Sequence, residues 1–171
     1  MRIEEATSER HVLTVTVDNE PGILAKITGL FTARGYNIDS LTVADISENH
    51  AISRITIVTK GPPEIIDQIE AQLERLVPVH GVVDLTTAGE HVERELALVK
   101  VEGTGETRVE ALRTAEVFRA NVVDTTPESF VFELTGSSKK IESFVALMRG
   151  LGLVEVGRSG IVGMMRGSEK I

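Results

Sequence analysis

The sequence has 171 residues, 42% hydrophobic and 26% charged, with a formal net charge of −8 and no cysteine. This composition belongs to a folded chain and not a disordered one. Its acidic balance argues against a nucleic-acid partner, which needs a basic footprint for phosphates, and the missing cysteine excludes disulfides, thiolate catalysis and sulfur-ligated metals. Met1 to Arg10 is too polar to read as a signal peptide, and no apolar run approaches the roughly 18 residues of a membrane span. The expectation is a cytoplasmic protein that meets neither membrane nor nucleic acid.

From His11 to Val17, Leu13, Val15 and Val17 alternate with polar residues, the period-2 pattern of a strand with one buried face. Asp18-Asn19-Glu20-Pro21-Gly22 interrupts it. Ile23, Leu24, Ile27, Leu30 and Phe31 then fall at helical spacing, with Pro21 suited to the first helical position and Gly35 to a left-handed cap. Ile38 to Asp45 and Ile52 to Thr59 read as a hairpin around Ser47-Glu48-Asn49-His50. Gly61-Pro62-Pro63 opens a second helix, and Pro78 with Gly81 closes it before a strand over Val82 to Thr86. The order is β-α-β-β-α-β, the ferredoxin-like arrangement of helices on one face of an antiparallel sheet.

Thr87 to Glu90 reads as a joint, after which the same order returns. A strand is expected over Leu96 to Val101 and a helix over Glu106 to Arg119 with Val109, Leu112, Ala115 and Phe118 on its face. A hairpin of Asn121 to Thr126 and Phe130 to Thr135, a helix over Ser138 to Gly150 and a strand over Leu153 to Val156 follow. The repeat, offset by roughly 85 residues, predicts an α+β chain of two tandem ferredoxin-like βαββαβ domains, 1–88 and 89–171. Domains this small bury only about 60% of their unfolded surface, and a sheet covered on one face leaves edges and an open face, so pairing with a second copy is expected.

Catalytic constellations are not found. His11, His50, His80 and His91 lie far apart, without the i+3 or i+4 partners of a helical metal pair, and read as surface or turn histidines. No Gly-x-Ser-x-Gly elbow occurs, and Gly103-Thr104-Gly105 lacks the third glycine of a dinucleotide loop because Arg108 stands there. The carboxylates, such as Glu70 and Glu74, are spread over solvated faces.

What remains is Asp18-Asn19-Glu20-Pro21-Gly22-Ile23-Leu24, a strand-to-helix loop where unpaired N–H groups and the positive end of a helix dipole suit a carboxylate. Gly22 admits a ligand close to the main chain, and the Asn19 side-chain oxygen can accept from an ammonium group. The same residues also suit a plain helix cap and turn, and Asn37 likewise fits either a turn after Gly35 or a ligand contact at a subunit junction.

Asn19-Glu20-Pro21-Gly22-Ile23-Leu24, Gly29-Leu30-Phe31 and Arg34 to Val43 resemble the amino-terminal ACT domain of acetohydroxyacid (acetolactate) synthase small subunits. His91 to Leu96 resembles that family's inter-domain joint, Arg119 to Pro127 its second-domain segment and Arg158 to Gly163 its carboxy-terminal signature. The resemblance implies a non-catalytic regulatory subunit in branched-chain amino acid biosynthesis, acting on valine, leucine and isoleucine formation. Its implied partner is the catalytic large subunit, which carries thiamine diphosphate, Mg and FAD; this chain would hold no cofactor and no metal.

The family pattern also implies a homodimer through ACT domains, with valine as effector at the junction. Asn19, Pro21, Gly22, Ile23 and Leu24 would then come from one copy, and Asn37 and Ile38 from the other. Pro21 departs from the small residue often found there. The alternative is a free-standing tandem ACT-like sensor regulating another protein.

Overall fold

The computed structural model describes residues 8–171, so the first seven residues of the expected 1–88 domain lie outside the described residues. Two compact units form: one runs to Val92 and takes back Val162–Ile171, and the other is Glu93–Ile161. The sequence division carries the second domain through residue 171; in the structure the last ten residues group with the first unit.

In the first unit, β1 (Glu9–Asp18), α1 (Ile23–Ala33), β2 (Ser40–Asp45), β3 (Ile52–Gly61), α2 (Pro63–Glu74) and β4 (Val79–Asp84) build a four-stranded sheet in the order β2-β3-β1-β4. In the second, β5 (His91–Glu102), α4 (Gly105–Phe118), β6 (Asn121–Thr125), β7 (Ser129–Gly136), α5 (Ser138–Arg149) and β8 (Leu153–Met165) repeat it as β6-β7-β5-β8. These are tandem ferredoxin-like domains. A short helix α3 (Leu85–Ala88), capped by Asp84 accepting from the Thr86 N–H, occupies the expected joint.

Odd positions of β1 face the helices. Leu13, Val15 and Val17 pack with Ile55 and Ile57 of β3, Ile23, Ile27 and Phe31 of α1, and Ile66, Ile69 and Leu73 of α2. Each such side chain contributes about 1.5–3 kcal/mol by leaving water. The sheet's other face is not open as expected, for Val12, Thr14 and Leu85 are fully buried. Gly163 lies against Leu85 and Val12, and a Cβ there would strike the Leu85 side chain. His11 is also no surface or turn residue: it is 3% exposed, and its Nδ1 meets Asp84 Oδ2 at 2.6 Å.

In the second unit Ala97, Val99 and Val101 alternate inward against Phe130, Phe132 and Leu134, with Ile141, Phe144 and Met148 from α5. The face of α4 is partly as expected: Ala115 is buried and Phe118 packs on the core, but Ala111 is buried while Val109 and Leu112 stay exposed. Glu95 is a buried carboxylate held in a fork, its two oxygens accepting from Arg158 Nε at 2.6 Å and Nη2 at 2.8 Å. Bidentate geometry suits the guanidinium, and the contact raises the Arg158 pKa. Glu95 and Arg158 thereby tie β5 to β8, which runs nine residues beyond the strand expected from sequence.

Candidate functional site

The loop between β1 and α1 is held at both ends. Asp18 donates its N–H to the Pro78 carbonyl at 2.9 Å and its carboxylate accepts from His80 Nε2 at 2.6 Å; the Glu20 carbonyl accepts from the Ile23 N–H at 3.3 Å. Pro21 thus lies in a turn before the helix, not at its first position. Gly22 takes the helix-capping place instead, in the left-handed conformation (φ 86°), with open space where a Cβ would stand.

Asn19 does not cap this helix. Its side-chain NH2 donates to the His50 carbonyl at 2.8 Å, and its backbone N–H donates to the Ala51 carbonyl at 2.8 Å. With the NH2 committed, the side-chain oxygen is left as an acceptor. Helix α1 has no side-chain cap, its first interior bond is Lys26 N–H to the Gly22 carbonyl, and among the described residues no main-chain acceptor meets the N–H groups of Gly22, Leu24 or Ala25. Unclaimed donors at the positive end of an 11-residue helix are chemically able to receive a carboxylate.

Ile23 is 6% exposed and belongs to the core, so an apolar lining falls to Leu24, which is 39% exposed. Asn37 and Ile38 lie beyond the other end of α1. Tyr36 N–H closes that end on the Phe31 carbonyl at 2.9 Å, with Gly35 left-handed as expected. The Asn37 NH2 donates to Asp39 Oδ1 at 2.6 Å, its carbonyl accepts from the Thr59 hydroxyl at 2.6 Å, and Ile38 is half-buried against the core. At 1.5 Å per residue the 11 residues of α1 span about 16 Å, with Gly22 before its first turn and Asn37 past its last. The candidate residues therefore form two clusters within one chain.

Sequence reasoning missed the hairpin between β2 and β3 as part of the site. His50 has φ 54°, a left-handed conformation uncommon outside glycine, and its Nδ1 meets Asp45 Oδ2 at 2.6 Å. The period-2 pattern around Ser47 to His50 could place a turn, but not the direction in which the His50 carbonyl points. Among the described residues no group of His, Asp or Glu is gathered in the way a metal ion requires, and no helix is long and apolar enough to cross a membrane.

Residues 13–81 match the small-subunit-like ACT domain family of acetohydroxyacid synthase, and residues 94–167 match the family described as the small subunit of acetolactate synthase. The chain is 45% identical over 161 residues to the acetolactate synthase isozyme 3 small subunit of Escherichia coli, covering 94% of this chain and 98% of that one. It is 41% identical over 161 residues to a probable acetolactate synthase small subunit of Archaeoglobus fulgidus, covering 94% and 99%. The crystal structure of the acetolactate synthase small subunit of Thermotoga maritima superposes with a TM-score of 0.85 at 37% identity, over 94% of this chain and 99% of that chain.

Proposed function

We propose that this chain, which belongs to the acetolactate synthase small-subunit family, binds a branched-chain amino acid, valine first, at the junction of two ACT domains and through it governs a catalytic large subunit. Asn19, Pro21, Gly22, Ile23 and Leu24 of one copy serve the ligand with Asn37 and Ile38 of the other. The ligand carboxylate takes the N–H groups of Gly22 and Leu24. Its ammonium meets the Asn19 oxygen, and its side chain lies by Leu24. Ile23 supports the site from within the core.

The observation that carries this reading is the pairing of unclaimed helix donors with an asparagine whose NH2 is committed to the His50 carbonyl, which leaves its oxygen as an acceptor. The helix of about 16 Å between the two clusters favours a shared site, because valine is too short to touch both in one chain. Among the described residues β2 stands at the end of the sheet beside β3, an edge at which a second copy can pair. Burying the valine side chain contributes about 1.5–3 kcal/mol, and discrimination against a ligand one methylene different is about 1–3 kcal/mol.

In this reading the chain is non-catalytic. Thiamine diphosphate, Mg and FAD reside in the large subunit; the small subunit activates it and conveys feedback inhibition by valine in the cytoplasm. Acetolactate formation from pyruvate by the large subunit alone, with this chain, and with this chain plus valine tests it. Stimulation followed by inhibition is expected. Valine binding without stimulation would instead make the chain a free-standing sensor.

A further inference from the structure

We infer that His50 is a positioning residue for the amino-acid site: its left-handed main chain, braced by Asp45, turns a carbonyl onto Asn19 and so fixes which Asn19 atom reads the ligand's ammonium. This rests on the effector reading above and adds the means by which the site tells an amino acid from a plain carboxylic acid.

Four observations converge on the hairpin crest. The His50 N–H donates to the Ser47 carbonyl at 3.0 Å, and the Ser47 hydroxyl accepts from Ala51 N–H at 2.9 Å and Ile52 N–H at 3.0 Å. Asn49 Oδ1 also accepts from Ala51 N–H, at 3.2 Å. The imidazole Nδ1 lies 2.6 Å from Asp45 Oδ2, at the end of β2. Two successive carbonyls, His50 and Ala51, then take the side-chain and main-chain donors of Asn19.

An asparagine side chain offers NH2 and oxygen with almost the same shape, so an unheld amide would rotate and present either to a ligand. Only the oxygen accepts from an ammonium; the NH2 would oppose it. Committing the NH2 to His50 removes that choice. A residue that favours extended backbone at position 50 would turn the carbonyl away and free the amide. His50 and Asp45 are themselves too exposed for their contact to add much stability, with side-chain exposures of 72% and 44%. Their contact serves geometry.

The test is calorimetric titration of the full chain with L-valine and with 3-methylbutanoate, the same skeleton without the amine. The wild type is expected to prefer valine. His50→Val, whose branched side chain resists positive φ, is expected to lower valine affinity roughly tenfold while changing 3-methylbutanoate less than about twofold, as for loss of one hydrogen bond to a charged group. His50→Gly, which keeps the left-handed backbone, restores the preference. Asp45→Ala lowers it by roughly threefold and carries the test if His50→Val does not fold.

Equal losses for both compounds in His50→Val, or an unchanged preference in both His50→Val and Asp45→Ala, would overturn the role of His50. A wild-type chain that binds neither compound would instead remove the effector site itself.

Discussion

The two units use one device to different ends. In the first, the loop after β1 hangs from the following hairpin through Asn19 N–H to the Ala51 carbonyl. In the second, the loop after β5 hangs from its hairpin through Gly103 N–H to the Glu128 carbonyl, each at 2.8 Å. The scaffold bond is repeated, but the residue carrying it is not. Asn19 adds an amide whose NH2 engages His50 and whose oxygen remains an acceptor, whereas Gly103 has no side chain to offer. The repeat thus preserves the fold and this bond, while the residue that carries it and the length of the loop differ, 19–22 in the first unit against 103–104 in the second.

The comparison can be broken most severely through its glycines. Gly152 is left-handed (φ 91°) and sits over the Glu102 carbonyl, which a Cβ would strike, whereas Gly22 (φ 86°) faces open space. Gly152→Ala is expected to lower stability by about 4 kcal/mol by forcing backbone apart, and Gly22→Ala by only about 1 kcal/mol. Thermal and urea melts of the two variants check this, and equal losses would mean that the close approach is not maintained in solution.

Function should separate the units as sharply. Gly22→Asp puts a carboxylate where the ligand carboxylate sits and is expected to weaken valine binding at least a hundredfold, by roughly the 3 kcal/mol of an unpaired like-charge contact. Gly105→Asp, at the equivalent helix start of the second unit and also left-handed with open space, should leave binding unchanged. Titration of both variants with valine measures the contrast.

Ion pairs sharpen it further. Arg158→Ala leaves the buried Glu95 carboxylate without its guanidinium, with the Ser138 hydroxyl at 3.3 Å still donating, and with the arginine itself 39% exposed the expected loss is about 2 kcal/mol. Lys26→Ala, which breaks the exposed contact with Glu20 at 3.3 Å, should cost less than about 0.5 kcal/mol. Urea titrations of the two variants rank them.

The smallest effect expected is at Glu70. Burial, then the nearby charges of Asp84 and Asp67, push its carboxyl above the ordinary value. A carboxyl that holds its proton more firmly folded than unfolded favours folding at low pH. That contribution fades as pH climbs from the ordinary carboxylate value through the raised one. Glu70→Gln should therefore flatten this decline and be slightly more stable at neutral pH, which urea midpoints followed across pH would reveal.

The order of elements was legible because apolar spacing switches between periods of two and 3.6 at Ile23, Ile38 and again in the second half. Strand ends were less so. His91 to Glu95 and Gly157 to Gly160 are polar or glycine-rich, yet both lie in long strands whose pairing is supplied by distant chain, including the Glu95–Arg158 fork. Val109 and Leu112 carried the spacing of a buried face together with Ala115, but the helix buries Ala111 with Ala115 and leaves the two larger residues exposed.

At the candidate site, sequence pointed to the Asn19 to Leu24 loop and to Gly35 as a left-handed cap. It put Ile23 at the spacing of the helix's apolar face, but could not reveal that His50 takes a positive φ and offers its carbonyl to Asn19, 31 residues away along the chain.

The central claim, that one ligand is shared by Asn19 of one copy and Asn37 of another, is tested most directly by mixing two inactive variants. Asn19→Ala and Asn37→Ala chains should each bind valine too weakly to detect in calorimetry. Refolded together, they should regain binding, because a mixed pair joins the intact Asn19 of one chain to the intact Asn37 of the other. If both residues served a ligand within a single chain, every site in the mixture would still carry one substitution, and no binding would return.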